Sequence, residues 1–184
     1  MKRLPYVLAS LVVLVMTSAC LGSANGGGWI ASANGLAKDK ATFGFHYNCN
    51  TANQSVTGNL TYHDHGTGHR LVARLDETLD PFGNPIPCNT FATAIPGVSH
   101  ACGVVKTGGG GAQAGDLVLL ATFDGAAANV STDNAVFIGL FHPSTPWPLN
   151  VPVPVEICVT AGLGAPYYLN EGTLGGGNVT WSVD

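Results

Sequence analysis

Charged side chains are scarce in this chain of 184 residues, since Asp, Glu, Lys and Arg make up only 10% of it. Seven Lys and Arg stand against eleven Asp and Glu, which argues against nucleic-acid binding because that function needs a basic face. The chain is nevertheless hydrophobic and contains 25 glycines. Disordered proteins combine low hydrophobicity with high charge, so we expect a folded, glycine-rich domain.

The common catalytic motifs are also missing. There is no Gly-x-Ser-x-Gly elbow and no His-Glu-x-x-His pair, and no Lys-Ser or Lys-Thr follows the glycine run 108–111. A solvated turn explains the acidic group Asp76, Glu77 and Asp80 more simply than glycosidase chemistry does. We therefore assign no catalytic residue and no cofactor. The sequence favours a protein that is not an enzyme, with a secreted hydrolase or a metal-dependent enzyme as the alternative.

No sustained helical period occurs beyond the first twenty residues, whereas short apolar runs alternate with turn signals. This pattern predicts an all-β fold, namely a single antiparallel β-barrel or closed β-sandwich of about eight to ten strands. The five prolines of residues 142–154 predict a surface segment there. The expected strands are 29–33, 40–48, 57–65, 70–76, 91–95, 102–106, 116–123, 135–141, 153–160 and 177–183.

The amino terminus has the pattern of an export signal. Lys2 and Arg3 precede an apolar run over residues 4–16, and three small residues then lead to Cys20. Small residues directly before a cysteine indicate lipoprotein processing, in which cleavage leaves the cysteine as a lipid-bearing amino terminus. We expect residues 1–19 to be the signal peptide and residues 20–184 to be one β domain.

A lipid on Cys20 would attach the protein to the outer membrane or the cell surface. Thr17 occupies a position at which such signals usually carry Leu. Plain secretion, with cleavage after Ala19 or Ala24, is therefore the alternative, and it would give a periplasmic or secreted protein.

The cysteine count agrees with a lipoprotein. The chain has five cysteines, an odd number that cannot all pair in disulfides within the chain. Lipid on Cys20 leaves four cysteines, which can form two disulfides in an oxidising compartment. None of them has the close spacing of a structural zinc site. The preferred pairs are Cys88 with Cys102 and Cys49 with Cys158, and buried free thiols are the alternative.

Two glycine trios, 26–28 and 175–177, lie near the two ends of the expected domain. Glycine weakens the interior of a strand, so these trios predict bulges or a close backbone crossing where the terminal strands meet. Flexible termini are the alternative.

Four stretches of the chain resemble the small glycine-rich β-domains of bacterial exported proteins, the post-COAP type. The likeness covers residues 26–65 and 172–183. It implies an exported all-β module in a bacterium and implies no reaction. The stretches are Gly26-Gly27-Gly28-Trp29-Ile30, Lys40-Ala41-Thr42-Phe43-Gly44-Phe45, Gly58-Asn59-Leu60-Thr61-Tyr62-His63-Asp64-His65 and Gly172-Thr173-Leu174-Gly175-Gly176-Gly177-Asn178.

The densest cluster of chemically active side chains is His63, Asp64, His65 and His69. Histidines at i and i+2 of a strand share a face and can bind one metal ion. A three-residue loop, 66–68, would pair His65 with His69 and put all three imidazoles on one face. His63, His65 and His69 are therefore the candidate metal ligands.

A four-residue loop, 66–69, gives a better half-buried hairpin, because it pairs His65 with Arg70 and Tyr62 with Ala73. His63 and His65 then point outward near arginines that repel a cation, so we assign no metal. This register places five apolar side chains on one face: Leu60, Tyr62, Leu71, Ala73 and Leu75.

In this second register Asp64 points inward at the end of the hairpin. We expect a structural carboxylate that accepts hydrogen bonds from the amides of Gly66 and Gly68. His46, His100 and His142 are isolated in the sequence and are expected to be ordinary surface or core residues.

Strands 116–123 and 135–141 are apolar on both sides and must be covered on both faces. We expect one face to be capped by residues 142–154 around Trp147 or by a second sheet, or to bind a partner protein or a second copy of this chain. The residues of this candidate interaction surface are Val118, Leu120, Val136, Ile138, Leu140 and Trp147.

The function expected from these features is an exported bacterial lipoprotein whose β domain acts as a binding or structural module at the cell envelope. A metal-binding protein that uses the histidine cluster is a further alternative.

Overall fold

One antiparallel sheet of nine strands makes up the described part of the protein, and that part contains no helix. The computed structural model describes residues 22–36, 38–50, 55–79, 97–126, 128, 133–151, 153 and 166–183. The order across the sheet is β8-β7-β6-β5-β4-β3-β2-β1-β9. The strands are β1 (Gly22–Ala31), β2 (Lys40–Asn50), β3 (Ser55–Asp64), β4 (Arg70–Leu79), β5 (Val98–Gly109), β6 (Leu117–Phe123), β7 (Ala135–Phe141), β8 (Tyr168–Thr173) and β9 (Gly176–Val183).

The all-β class is confirmed, but the expected closed barrel or closed sandwich is not shown. The sheet is an open, strongly curled half-barrel whose edge strands are β8 and β9. Every neighbouring pair of strands is antiparallel, so β8 and β9 run in the same direction. The two residues between them are too few for a parallel crossover, and a hairpin would need opposite directions, so β8 and β9 do not pair with each other.

Several hydrogen bonds hold the two ends of the curled sheet near each other. Asn170 Nδ2 at the β8 edge donates to the carbonyl of Ala31 at 3.1 Å. The amide of Gly175 donates to the carbonyl of Trp29 at 3.0 Å. Asn134 Nδ2 reaches the carbonyl of Val179 in β9 at 3.0 Å.

The glycine trios meet where the terminal strands β1 and β9 pair. Gly28 lies opposite Gly177, and a Cβ on either residue would fall 2.1 Å from a backbone oxygen of the other strand. Gly177 also has φ of +99°, a conformation that favours glycine. The predicted close approach of the terminal strands is confirmed, whereas the closure of the sheet expected there is not shown.

The inner face of the sheet forms the main core, and the predicted hairpin face belongs to it. Alternate side chains of β3 and β4 point inward, and all five are at most 3% exposed: Leu60, Tyr62, Leu71, Ala73 and Leu75. Both loop registers considered above are wrong, because the structure pairs Tyr62 with Leu71 and His63 with Arg70. The preferred register is off by two residues, and a shift of two leaves every side chain on its face.

A second, smaller apolar cluster covers the outer face of β5, β6 and β7. It consists of Cys102, Val104, Leu117, Phe141 and Val153, with Leu119 and Trp147 packed against it.

The segment after β7 is fixed over this outer cluster by Arg74. Its guanidinium donates to the carbonyls of Leu149 and Val151, both at 2.6 Å. Asp76 pairs with Arg74 and accepts a bond from the amide of Val153 at 3.1 Å.

The candidate interaction surface is not a free surface among the described residues. Five of its six side chains lie together in the inner core and are at most 1% exposed: Val118, Leu120, Val136, Ile138 and Leu140. The expectation that residues 142–154 cap this face is wrong, because Trp147 and Val153 pack on the outer face instead. The curl of the sheet supplies the inner cover, which a pattern along single strands does not reveal.

Cys49 and Cys102 are both buried and disulfide-bonded. Cys49 belongs to the inner cluster and Cys102 to the outer one, so their side chains point to opposite faces of the sheet. Direct pairing of these two is therefore excluded on geometry. The other three cysteines, Cys20, Cys88 and Cys158, lie outside the described residues, and the preferred pairing stays a prediction.

Some expected strands differ from the observed ones. Residues 91–95 and 154–160 lie outside the described residues, and Val153 is not in a strand. The sequence did not predict β8, which puts a tyrosine and an asparagine, Tyr168 and Asn170, on the inner face.

Candidate functional site

Asp64 lies fully buried at the end of β3, and its carboxylate is surrounded by donors. Ser32 Oγ donates to Oδ1 at 2.5 Å, and the amide of Gly66 donates to the same oxygen at 2.9 Å. Oδ2 accepts from Tyr168 Oη at 2.7 Å and from the amide of Ala33 at 3.0 Å. The carboxylate therefore joins the β1–β2 loop, the β3–β4 loop and the edge strand β8.

These donors set the charge of Asp64. Burial by itself raises the pKa of a carboxyl, but the hydrogen bonds from Ser32, Tyr168, Ala33 and Gly66 outweigh it and hold the pKa of Asp64 well below its usual range. Asp64 is thus a fixed anion. A general acid would need a proton to give, so this carboxyl is suited to a structural role.

A chain of hydrogen bonds continues from Asp64 into the core. The Tyr168 hydroxyl donates its hydrogen bond to Asp64, so its oxygen accepts one from Tyr62 Oη at 2.6 Å. Tyr62 in turn accepts from Asn170 Nδ2 at 2.7 Å. Burial raises the pKa of Tyr62 to about 12, and both tyrosines stay neutral at physiological pH.

A row of aromatic rings borders this network; we call His69, His142, Tyr167 and Tyr168 the aromatic rim. His69 stacks on Tyr168 with 4.1 Å between ring centroids, and His142 stacks on Tyr167 at 3.7 Å with nearly parallel rings. The His69 and Tyr167 rings are 6.5 Å apart. Burial lowers the pKa of His69, while the Asp64 carboxylate opposes that shift.

A second buried carboxylate, Asp116, organises the other half of the rim. Its Oδ1 contacts His142 Nδ1 at 2.8 Å, and its Oδ2 accepts from Tyr167 Oη at 2.8 Å. The His142 side chain is 46% exposed and that of Asp116 only 6%. The carboxylate therefore fixes the orientation of a half-exposed imidazole through its Nδ1 atom.

Sequence reasoning missed this pair, because it treated His142 as isolated. The only available signal is the register of two predicted strands. Leu117 pairs with Phe141, so the next positions outward, Asp116 and His142, face each other. That register cannot be fixed from the two apolar strands alone.

The three candidate metal ligands are not brought together. His63 and His65 lie side by side on the outer face, 3.9 Å between ring centroids, with Arg70 opposite His63. His69 turns away to stack on Tyr168. Within the described ranges, no group of three or more His, Cys, Asp or Glu side chains is placed to hold a metal ion.

The predicted role of Asp64 is supported in its main part. The Gly66 amide binds the carboxylate as expected, whereas the Gly68 amide donates to the main-chain carbonyl of Asp64 at 2.8 Å. Ser32 and Tyr168 come from parts of the chain that sequence spacing does not connect to the hairpin.

Comparison with known proteins finds no matching family model, no similar curated protein and no similar solved structure. In the part of the chain that the structure describes, no helix has the length and apolar character needed to cross a membrane.

Proposed function

We propose that this protein is an exported bacterial lipoprotein, anchored through Cys20, whose β domain is a binding module at the cell envelope. The resemblance of residues 26–65 and 172–183 to post-COAP-type domains points the same way. The observation that carries the proposal is the pairing of Gly22, Ser23 and Ala24 with both neighbouring strands, only a few residues after Cys20.

The position of β1 bears on where the signal is cut. Gly22, Ser23 and Ala24 pair with β2 on one side and with β9 on the other, and Ala24 is fully buried. Cleavage after Ala24 would remove these three residues from the middle of the sheet. Cleavage between Ala19 and Cys20 leaves these residues in the sheet, so the pairing of β1 disfavours the cut after Ala24 and fits lipoprotein processing as well as plain secretion after Ala19.

A lipid on Cys20 would also orient the domain. Two residues span about 7 Å at most, so the Gly22 end of β1 would lie close to the membrane. The ten residues of β1 extend about 33 Å to the opposite end. Asp64 and the aromatic rim lie at that opposite end, near Ala33, and would face away from the membrane. The rim is thus the binding face that this orientation favours.

We also propose that β8 and β9 act as one bent strand that completes a barrel-like module. Only Leu174 and Gly175 separate them, they run in the same direction, and they pair with β7 and β1 respectively. The bonds of Asn170 to Ala31 and of Gly175 to Trp29 support this closure.

Lipid labelling combined with membrane fractionation tests the anchor. The wild type should incorporate labelled fatty acid and sediment with membranes, and Cys20→Ala should do neither. Thr17→Leu restores the usual lipoprotein signal and should be processed at least as well as the wild type. An unlabelled wild type, or a Cys20→Ala protein that keeps its label, would contradict the proposal.

A further inference from the structure

A groove of about 520 Å³ lies on the outer face of β5, β6, β7 and β8. We call it the β5–β8 groove. Its volume is within the range of small-molecule sites, about 300–1,000 Å³. None of its lining residues belongs to the aromatic rim or to the segment over the outer cluster, so it is separate from the features described above.

Strand register explains how the groove forms. Two cross-strand rows of outward side chains make its floor and walls, and in each row an alanine neighbours a phenylalanine. Phe123 pairs with Ala135, and Phe137 pairs with Ala121. The two phenyl rings therefore lie at diagonally opposite positions across β6 and β7, and the small alanine side chains at the other two positions leave room between the rings. The rows are His100, Ala121, Phe137 and Glu171, and Val98, Phe123, Ala135 and Thr173.

The β8 side of the groove carries a charged residue, Glu171. Glu171 is exposed there and lies opposite Phe137 in the pairing of β7 with β8. No Lys or Arg is among the described lining residues, and the whole chain has a formal net charge of −4. The groove therefore offers aromatic surface together with a single negative charge at one side.

We propose that the β5–β8 groove binds a small organic cation with an apolar body and an ammonium group. The apolar body covers the alanine floor and contacts the rings of Phe123 and Phe137. The ammonium group pairs with the Glu171 carboxylate and gains further from the neighbouring ring by a cation–π interaction. An anion does not match a groove whose described charged lining residue is the Glu171 carboxylate.

Binding of 2-phenylethylammonium to the full chain tests this inference. The binding is detected by chemical-shift changes of the backbone amides. The wild type should show saturable changes at Ala121, Phe137 and Glu171. Glu171→Gln keeps the shape of the side chain and should weaken binding by about fivefold or more, because it removes the charge-assisted contact. Ala121→Leu fills the floor and should abolish binding.

Two controls separate this inference from general electrostatics. Asp133→Asn removes one exposed negative charge outside the groove and should leave the affinity unchanged. The neutral isostere 2-phenylethanol should bind more weakly than the ammonium probe. Absence of saturable binding, equal affinity for the neutral isostere, or an unchanged affinity in Glu171→Gln would overturn the inference. None of these results depends on lipid at Cys20.

Discussion

At the scale of single residues, Asp64 connects more of the structure than any other polar side chain described above. Its inward direction followed from the alternation of apolar residues in β3 and β4, and its bond to the Gly66 amide followed from hairpin chemistry. Ser32 and Tyr168 stand 32 and 104 positions away in the chain. Such contacts depend on how the sheet curls, and no local pattern specifies that.

Asp64→Asn should lower the free energy of unfolding by about 1–3 kcal/mol at neutral pH. The substitution turns one carboxylate oxygen, which accepts hydrogen bonds, into an amide nitrogen that cannot accept them from the donors around it. The pKa of Asp64 is held below its unfolded value, so its stabilisation is complete at neutral pH. It is lost as the pH falls below about 4 toward the folded-state pKa.

Chemical denaturation at pH 7 and at pH 3 measures both effects. The difference between wild type and Asp64→Asn should be large at pH 7 and smaller at pH 3. Asp133→Asn, at an exposed position, is the matched control and should differ little from the wild type at either pH. Equal losses at both pH values would contradict the assignment of a fixed anion.

At the scale of elements, strands with clear apolar alternation could be predicted and β8 could not. The inner face of β8 carries Tyr168 and Asn170, whose hydrogen bonds replace the usual apolar packing. The close approach of β1 to β9 could be predicted, because glycine inside a strand often marks a place where another backbone comes close.

Gly177→Ala should destabilise the protein by more than about 2 kcal/mol, since the new Cβ would meet the Gly27 carbonyl at 2.1 Å and the backbone has φ of +99°. Gly27→Ala lies in the same crossing, but its nearest contact would be 3.4 Å away. Thermal unfolding of the two variants should separate them clearly. Similar melting temperatures would contradict the close crossing.

Arg74→Met should loosen the segment over the outer cluster, because it removes the donors to Leu149 and Val151 while keeping the length of the side chain. Hydrogen exchange of the Trp147 and Val151 amides should become faster. Arg70→Met, at an exposed position on the same strand, should leave it unchanged. Unaltered exchange in Arg74→Met would mean that apolar contacts alone fix the segment.

At the scale of the whole molecule, composition and periodicity were sufficient for the all-β class but not for the shape of the sheet. The sequence indicated that strands 116–123 and 135–141 are covered on both faces. It could not tell which residues cover which face, because that depends on the curl of the sheet, which places Ile138 and Leu140 in one buried cluster with side chains of β1 to β4.

Non-reducing peptide mapping of the native protein tests the cysteine assignment. We expect Cys88 linked to Cys102 and Cys49 linked to Cys158. With Cys49 on the inner face and Cys102 on the outer face, a direct link between these two should not be found. Recovery of all four thiols in alkylated form would contradict the disulfides altogether, and a different pairing would contradict only the connectivity.

The anchor at Cys20 is the central claim about the whole molecule, and the mass of the amino-terminal peptide of the mature protein tests it most directly. The pairing of residues 22–24 and the burial of Ala24 predict a cut before Gly22, and the lipoprotein signal predicts that the peptide starts at Cys20 and carries acyl chains on that residue. A lipid-free peptide that starts at Asn25 would contradict both the anchor and the use of residues 22–24 in the sheet.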